Sequence, residues 1–527
     1  MTHRFATYVC LFFWVGLSFL IGGSSTTAAA SGLDGPDPVV PISRYLTDDG
    51  ALHVEPGRQV ALDPSGYRMV LGANGGPRFV KAAAATAEPG DDPWSAQFSL
   101  PGAELSQSAV ETVVVDGSDV FVGGSFDQFE RLIAASIVRW DGSSWSALGG
   151  PGDVFGDNGV SKGTAEKGIV HAITVTADYV YVGGDFTQVN SGSTVQDAPG
   201  LARWDRSANT WEPLDDLCNV PTYLGADSCF NNDVGPIIRA LTTNGTDLFV
   251  GGSFDAADND GTRIRVSNLA KWSLSTQTWS PLLGSGPPDQ DADNGTDQPV
   301  YALLLDGTNL FVGGEFFEVY EPGSTGRVTT FACSVVRFDL SALSWTPLGG
   351  PGANDPSSAE CDNGTDGLQG DVYALAGTAD QLYIGGRFAE VHEGGTTIAA
   401  ENVAQWDGSN WQVLGTASGN GVDASVDALL LDGTDLYLSG NFDRAFDGGT
   451  TVRPQYVARW DGSTWQTLGG TSSLDNGLSS RTRDLAKDGT GRIWAVGARE
   501  GCDTQRCRLV FGVARWTGSG WLGPPSG

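Results

Sequence analysis

The chain has 527 residues, of which 74 are glycine and 10% aromatic, and its 63 acidic residues against 30 basic ones give a formal charge of -33. That balance argues against a nucleic-acid partner or an anionic membrane surface, since both need a basic footprint. Cations and basic partners are left open, and so many glycines with so many aromatics suit short strands joined by tight turns.

The first thirty residues have the pattern of a signal peptide. His3 and Arg4 precede an apolar run from Tyr8 to Ile21, and Ala28-Ala29-Ala30 offers a cleavage site before Ser31. The run is short for a membrane span and none comes after it, so the expected product is exported: secreted or cell-surface, with the periplasm as the other destination. Cys218, Cys229, Cys333, Cys361, Cys502 and Cys507 then remain, an even number that suggests disulfides in an exported chain. Proximity favours Cys218 with Cys229 and Cys502 with Cys507, which leaves Cys333 for Cys361, although six cysteines admit about 15 pairings.

Residues 31–108 form an N-terminal extension in which Val60–Leu71 is a worn copy of half a repeat and Trp94–Leu100 has the look of a closing strand. From Val110 the repeat is plain. The glycine ending its second strand falls at Gly124, Gly184, Gly252, Gly314, Gly386, Gly440 and, in weaker form, Gly497, with spacings of 54 to 72 residues. Each unit also carries an aromatic pair, such as Trp140 and Trp145 or Phe338 and Trp345. Thirteen of the 16 tryptophans are used in this way, which assigns them to the core.

Asp116-Gly117-Ser118 and Asp306-Gly307-Thr308 mark hairpin turns between the first two strands, and Asp141-Gly142-Ser143 and Asp461-Gly462-Ser463 mark turns between the last two. Four antiparallel strands per unit, repeated radially, describe an all-β, seven-bladed β-propeller over 109–527, because an isolated sheet cannot cover both of its own faces. The chain order predicts that Trp94–Leu100 latches the last blade.

The Gly-Gly closing strand two, the aromatic-Asp after strand three and the Trp before a Leu in strand four resemble the repeats of kelch and galactose-oxidase-type propellers. The fuller wording, with Val-Ala-Arg-Trp-Asp-Gly-Ser at 457–463, is closer to the repeats of bacterial secreted and Rax2-like extracellular propellers. The resemblance covers 110–524, implies the fold and says almost nothing of activity.

In a ring of near-equal units, whatever recurs is scaffold and whatever differs is a candidate for function. The cation before the aromatic-Asp (Arg139, Arg203, Lys271, Arg337, Arg459, Arg515) recurs and is expected to pair within its own unit. The connections from strand one to two and from three to four are tight. Those from strand two to three, including 255–267, 317–332 and 389–401, and those between units, including 151–168, 215–235, 283–299 and 351–370, are long. One face is therefore expected to be bare and the other built up by unit-specific insertions, where a ligand or partner is to be sought.

The residue after each glycine pair varies: Ser125, Asp185, Ser253, Glu315, Arg387 and Asn441. Asp185, Glu315, Arg387 and Asn441 are ligand-binding candidates, with His392, the one histidine in the elaborated loops. No cofactor is called for. Asp289, Asp291, Asp293 and Asp297, beside one of several Asp-Asn-Gly turns, are a candidate calcium set, and Asp255, Asp258 and Asp260 a second; neither has EF-hand spacing. The turns do not form sialidase Asp boxes, and the four histidines are too scattered for a copper centre. These residues point to an exported, non-enzymatic protein binding a protein or glycan through its long-loop face. The alternative is a secreted carbohydrate-active enzyme, hydrolase or lyase, on the same face.

Overall fold

A computed structural model describes strand segments at 40–41, 62–63, 67–71 and 77–81 and, from 109 to 523, most of the chain; the breaks are chiefly 151–157, 219–234, 284–293, 350–366 and 470–476. Contacts divide the chain into Met1–Phe98 and Ser99–Gly527. In the first unit Tyr67–Leu71 pairs antiparallel with Pro77–Lys81, and Val40–Pro41 lies parallel to Leu62–Asp63. The signal segment and Trp94–Leu100 lie outside the described residues.

The second unit is all-β among its described residues. It contains six four-stranded antiparallel sheets and one five-stranded sheet built on the same order. The second sheet shows the pattern: Ile169–Val175, Tyr179–Asp185, Leu201–Asp205 and Thr210–Pro213 pair in chain order. The seventh draws all four strands, from Asp484 to Leu522, from its own stretch of chain. First strands pack on first strands: Ile169–Val175 lies against both Ala109–Asp116 and Ile237–Thr243, and the series continues until Asp484–Lys487 meets Ala109–Asp116.

The repeated residues hold this stack together. Gly183 lets the next sheet approach, since a Cβ there would stand 2.5 Å from Ile238 Cγ2; Gly184 admits the backbone of its own first strand, with Ile169 O at 1.9 Å from such a Cβ. The aromatic pairs face each other across strands three and four, as Trp272 and Trp279 do with centroids 5.0 Å apart. Trp211 Nε1 donates to Leu148 O and Trp521 Nε1 to Leu468 O, so these rings also tie a sheet to the one before it. The recurring cations serve their own sheets: Arg203 bonds Glu212 at 2.7 Å and covers Tyr179, and Arg139 pairs with Asp119 at 2.8 Å.

The connections between strands two and three differ from expectation. They vary in length, yet every one is a β-hairpin, from Gln128–Phe129 with Leu132–Ile133 in the first sheet to Glu500–Cys502 with Cys507–Leu509 in the seventh. Four of them also pair with the incoming linker, as Gln188–Ser191 does with Asn158–Ser161. A strand pair is the economical way for a long connection to satisfy its own backbone groups. The insertions are thus a second tier of scaffold, and their recurrence weakens the case for seeking the site in the loops as such.

Candidate functional site

Where the first strand begins, the pairing register slips by one residue in six of the seven sheets, and the displaced residue is of five kinds. The slips lie at Glu111, His171, Arg239, Tyr301, Tyr373 and Asp427, each between a Val or Ile and an Ala or Thr. Arg483 precedes the seventh first strand at the matching place, its N–H bonded to Val496 O. Bulges re-aim side chains. Here the flanking residues keep to Val or Ile and Ala or Thr, whereas the bulged one changes, with only Tyr occurring twice.

Contacts join several of these side chains to one another or to a neighbour. Arg239 lies over the Tyr301 ring at 5.4 Å, and Tyr301 and Tyr373 are 5.6 Å apart. Arg481 binds both oxygens of Asp427, with the Nη2 to Oδ1 distance 2.9 Å, and Arg483 reaches Glu111 at 2.8 Å. Charges two sheets apart are felt as well: Glu111 responds to Arg239 on one side and Asp427 on the other. The bulge residues thus gather at the end of the sheets where the first strands begin.

The protonation states are set by this crowding. Burial raises the Glu111 carboxyl above its ordinary range despite Arg483 beside it. Burial, and after it the Arg239 guanidinium, lowers the His171 imidazole to about 4, so it is neutral at physiological pH. Burial also raises both tyrosines, which stay protonated and donate: Tyr301 OH to Glu315 at 2.7 Å and Tyr373 OH to Asp371 at 2.7 Å.

The residues after the glycine pairs flank this ring. Asp185 binds Lys162 at 2.6 Å, Glu315 accepts from Tyr301, and exposed Arg387 lies opposite Asp371 in the register. Asn441 is exposed, with its backbone N–H on Ser425 O. His392 does not join them. It is buried inside a hairpin, Nδ1 3.2 Å from Thr397 Oγ1 and Nε2 3.4 Å from Glu390 Oε1, so this ligand-binding candidate is closed off from solvent.

Of the calcium candidates, Asp289, Asp291 and Asp293 lie outside the described residues. Asp297 Oδ1 accepts from Phe317 N and Glu318 N, each at 2.9 Å, and Asp423 repeats that cap on Asp443 and Arg444 two sheets later. Asp258 accepts from Gly261 N in its own turn. The Asn-Gly pairs are joinery: buried Asn158 accepts from Ala135 N and donates to Ile133 O and Gly150 O. Among the described residues no group of three or more His, Cys, Asp or Glu is placed to hold a metal. Cys333 is buried and disulfide-bonded, while Cys361 and Cys229 lie outside the described residues. Cys502 stands opposite Cys507 in its hairpin, and Cys218 opposite Ala256.

The bulge ring escaped the sequence reading. The signal was present as Val-Glu-Thr, Val-His-Ala, Ile-Arg-Ala, Val-Tyr-Ala, Val-Tyr-Ala and Val-Asp-Ala at 110–112, 170–172, 238–240, 300–302, 372–374 and 426–428. One residue varies between two constant ones, but regular alternation would hide it among strand positions.

No protein-family model matches the chain, and no curated protein does. Among solved structures it is similar to the computationally designed Ika8 protein (14% identity, 81% of this chain and 99% of that one, TM-score 0.41). It is also similar to the extracellular domain of the putative hybrid two component system BT4673 from B. thetaiotaomicron (14% identity, 79% of this chain and 39% of that one, TM-score 0.41). A third is YCF48 from Cyanidioschyzon merolae (12% identity, 76% and 96%, TM-score 0.36). At these scores the likenesses assign nothing to this chain. Among the described residues no helix is long and apolar enough to cross a membrane.

Proposed function

We propose that this is an exported seven-bladed β-propeller that binds a protein or glycan at the axial mouth of its hairpin-bearing face, through the ring Glu111, His171, Arg239, Tyr301, Tyr373, Asp427 and Arg483. The single observation behind this reading is the bulge position, where a unit that otherwise repeats changes its residue from sheet to sheet. The closed ring is supported by the packing of the seventh sheet on the first, where Ala486, Trp494 and Val496 share a core with Val110 and Val122. Single-particle images with six or eight sectors would overturn the seven-blade reading, and a secreted form that does not begin near Ser31 would overturn the export route.

Binding rather than turnover is favoured because the ring carboxylates are occupied, Glu111 by Arg483 and Asp427 by Arg481. One observation favours the second reading, a carbohydrate-active hydrolase or lyase: a Glu111 carboxyl raised by burial in the same ring as a neutral His171 is the kind of contrast that acid–base catalysis uses. A glycan array probed with the mature chain tests the site. Arg239→Ala with Tyr373→Ala should abolish capture, whereas Asp461→Ala at the opposite end should not. Equal capture by both variants places the site elsewhere, and release of reducing ends from a captured glycan that Glu111→Gln stops establishes the enzyme.

A further inference from the structure

We infer that the ring takes a sugar carrying one carboxylate, a uronate-type unit, with the carboxylate on Arg239 and the sugar face on Tyr301 and Tyr373. This rests on the axial-ring reading and adds the ligand's chemistry to it.

The starting point is how the charges around the ring are matched. Five carboxylates stand there with five cations, in a chain whose overall charge is -33. Every one of the acids has a donor. Glu111 has Arg483, Asp427 has Arg481, Asp185 has Lys162, Glu315 has the Tyr301 hydroxyl and Asp371 the Tyr373 hydroxyl.

The cations are not all matched in return. Among the described residues Arg239 bonds no carboxylate; its guanidinium lies over Tyr301, and its buried Nε has no hydrogen-bond partner. The neighbouring His171 is neutral and offers no negative charge. A guanidinium presents a planar fork of donors whose natural complement is a carboxylate. Arg387 also has no carboxylate bond, but it is exposed to water; half-buried Arg239 is therefore the place in the ring that asks for an anion.

The neighbours restrict what else the ligand carries. With their hydroxyls held by Glu315 and Asp371, Tyr301 and Tyr373 have fixed ring planes, 49° apart, that suit an apolar face about the size of one sugar ring. Ionised Glu315, Asp371 and Asp427 can only accept, so the ligand should bring hydroxyl donors. The same carboxylates, with the acidic chain around them, repel a second negative charge. One anionic group, several hydroxyls and one apolar face describe a uronate better than a neutral hexose or a phosphosugar.

Isothermal titration of the mature chain with D-galacturonate, D-galactose and tetragalacturonate tests this. Galacturonate should bind, and galactose at least about tenfold more weakly, as expected for loss of a charge-assisted pair. Arg239→Gln should erase that preference, Arg239→Lys should retain part of it, and Tyr373→Ala should weaken both sugars, with the near-ultraviolet dichroism of the tryptophans unchanged. Tetragalacturonate, with four carboxylates, should bind more weakly than the monomer; a tighter tetramer overturns the restriction to one negative charge. Equal binding of galacturonate and galactose, an unaffected Arg239→Gln variant, or no binding of either acid overturns it. The axial-ring reading itself falls only if the ring variants also capture array glycans as the wild type does.

Discussion

The two ends of the sheets handle their carboxylates differently. At the turn end the aspartates between strands three and four serve their own turns: Asp141 Oδ1 accepts from Ser143 N and Ser144 N at 2.8 Å each, and Asp461 Oδ1 from Ser463 N and Thr464 N at 3.0 and 2.8 Å. Those bonds favour the charged form and hold both carboxyls below the ordinary range. The aspartates between strands one and two reach a neighbouring sheet instead, Asp116 pairing with Arg206, Asp306 accepting from Ala379 N and Asp432 pairing with Lys487. At the bulge end Glu315 and Asp371 stay within their own sheets, whereas Asp427 and Glu111 bond arginines of the seventh and Asp484 the backbone of the first. The strand-three turns are independent parts; the bulge end is coupled across the seams of the seventh sheet.

The strongest way to break the coupled end is to force two sheets apart. Gly183→Val would drive a side chain into Ile238, whose Cγ2 and Cβ stand 2.5 and 3.0 Å from the first added carbon. Overpacking of this kind costs about 3 kcal/mol, so a large fall in the thermal midpoint is expected. An unchanged melt would contradict the close approach of the two sheets.

The seam between the seventh and first sheets gives the next effect. Asp484 stands where the other sheets have Ala or Thr, and it accepts from Thr112 Oγ1, Val113 N and Leu485 N at 3.0, 2.8 and 2.8 Å. Burial outweighs those bonds and raises its carboxyl from 3.8 to about 6. The folded form therefore holds this proton more tightly than the unfolded chain. Its contribution is fully present below the unfolded value of 3.8 and is lost as pH rises through about 6. Two units correspond to roughly 3 kcal/mol. Urea midpoints across that window should show this slope in the wild type and not in Asp484→Asn; parallel curves would remove Asp484 from the seam's energetics.

His171 gives an effect of the opposite sign: neutral His171 is compatible with the fold above 6.5, and stability is lost as pH falls through about 4. Nuclear magnetic resonance should find its titration midpoint near 4, and Arg239→Gln should move it upward, because Arg239 is the largest charge acting on it. A midpoint that stays where it was would separate the two residues.

Periodicity made the strands, turns and aromatic core readable, since Gly183, Trp272 and Asp141 have like counterparts in most copies. Two features were hidden for physical reasons. The hairpins between strands two and three differ in length and composition, from Gln128–Ile133 to Glu318–Phe331, so their shared pairing left no common motif. The bulge residues were hidden because a register slip is a backbone event: nothing in Val300-Tyr301-Ala302 announces that Tyr301 leaves the alternation until the partner Gly313-Gly314 is seen opposite. The residues after the glycine pairs, Glu315 and Asp185 among them, lay one step away and were found by the same rule of variation.

The least disruptive substitution is the most informative about the two ends. Asp461→Ala removes two backbone acceptor bonds on an exposed turn and should lower stability slightly. Combined with Asp141→Ala in another sheet it should be additive, since each aspartate bonds only within its own hairpin. Asp427→Asn combined with Glu111→Gln should not be. Their partners, Arg481 and Arg483, lie on the same strand approach, and Glu111 feels both arginines as well as Asp427. Removing one acid frees a cation for the other and relieves its repulsion, so each single change is partly compensated; the double change leaves both arginines without an acid and should cost more than the two single costs together. If the axial pair is as additive as the turn pair, the seven bulge residues are separate ornaments on seven sheets and do not form one site.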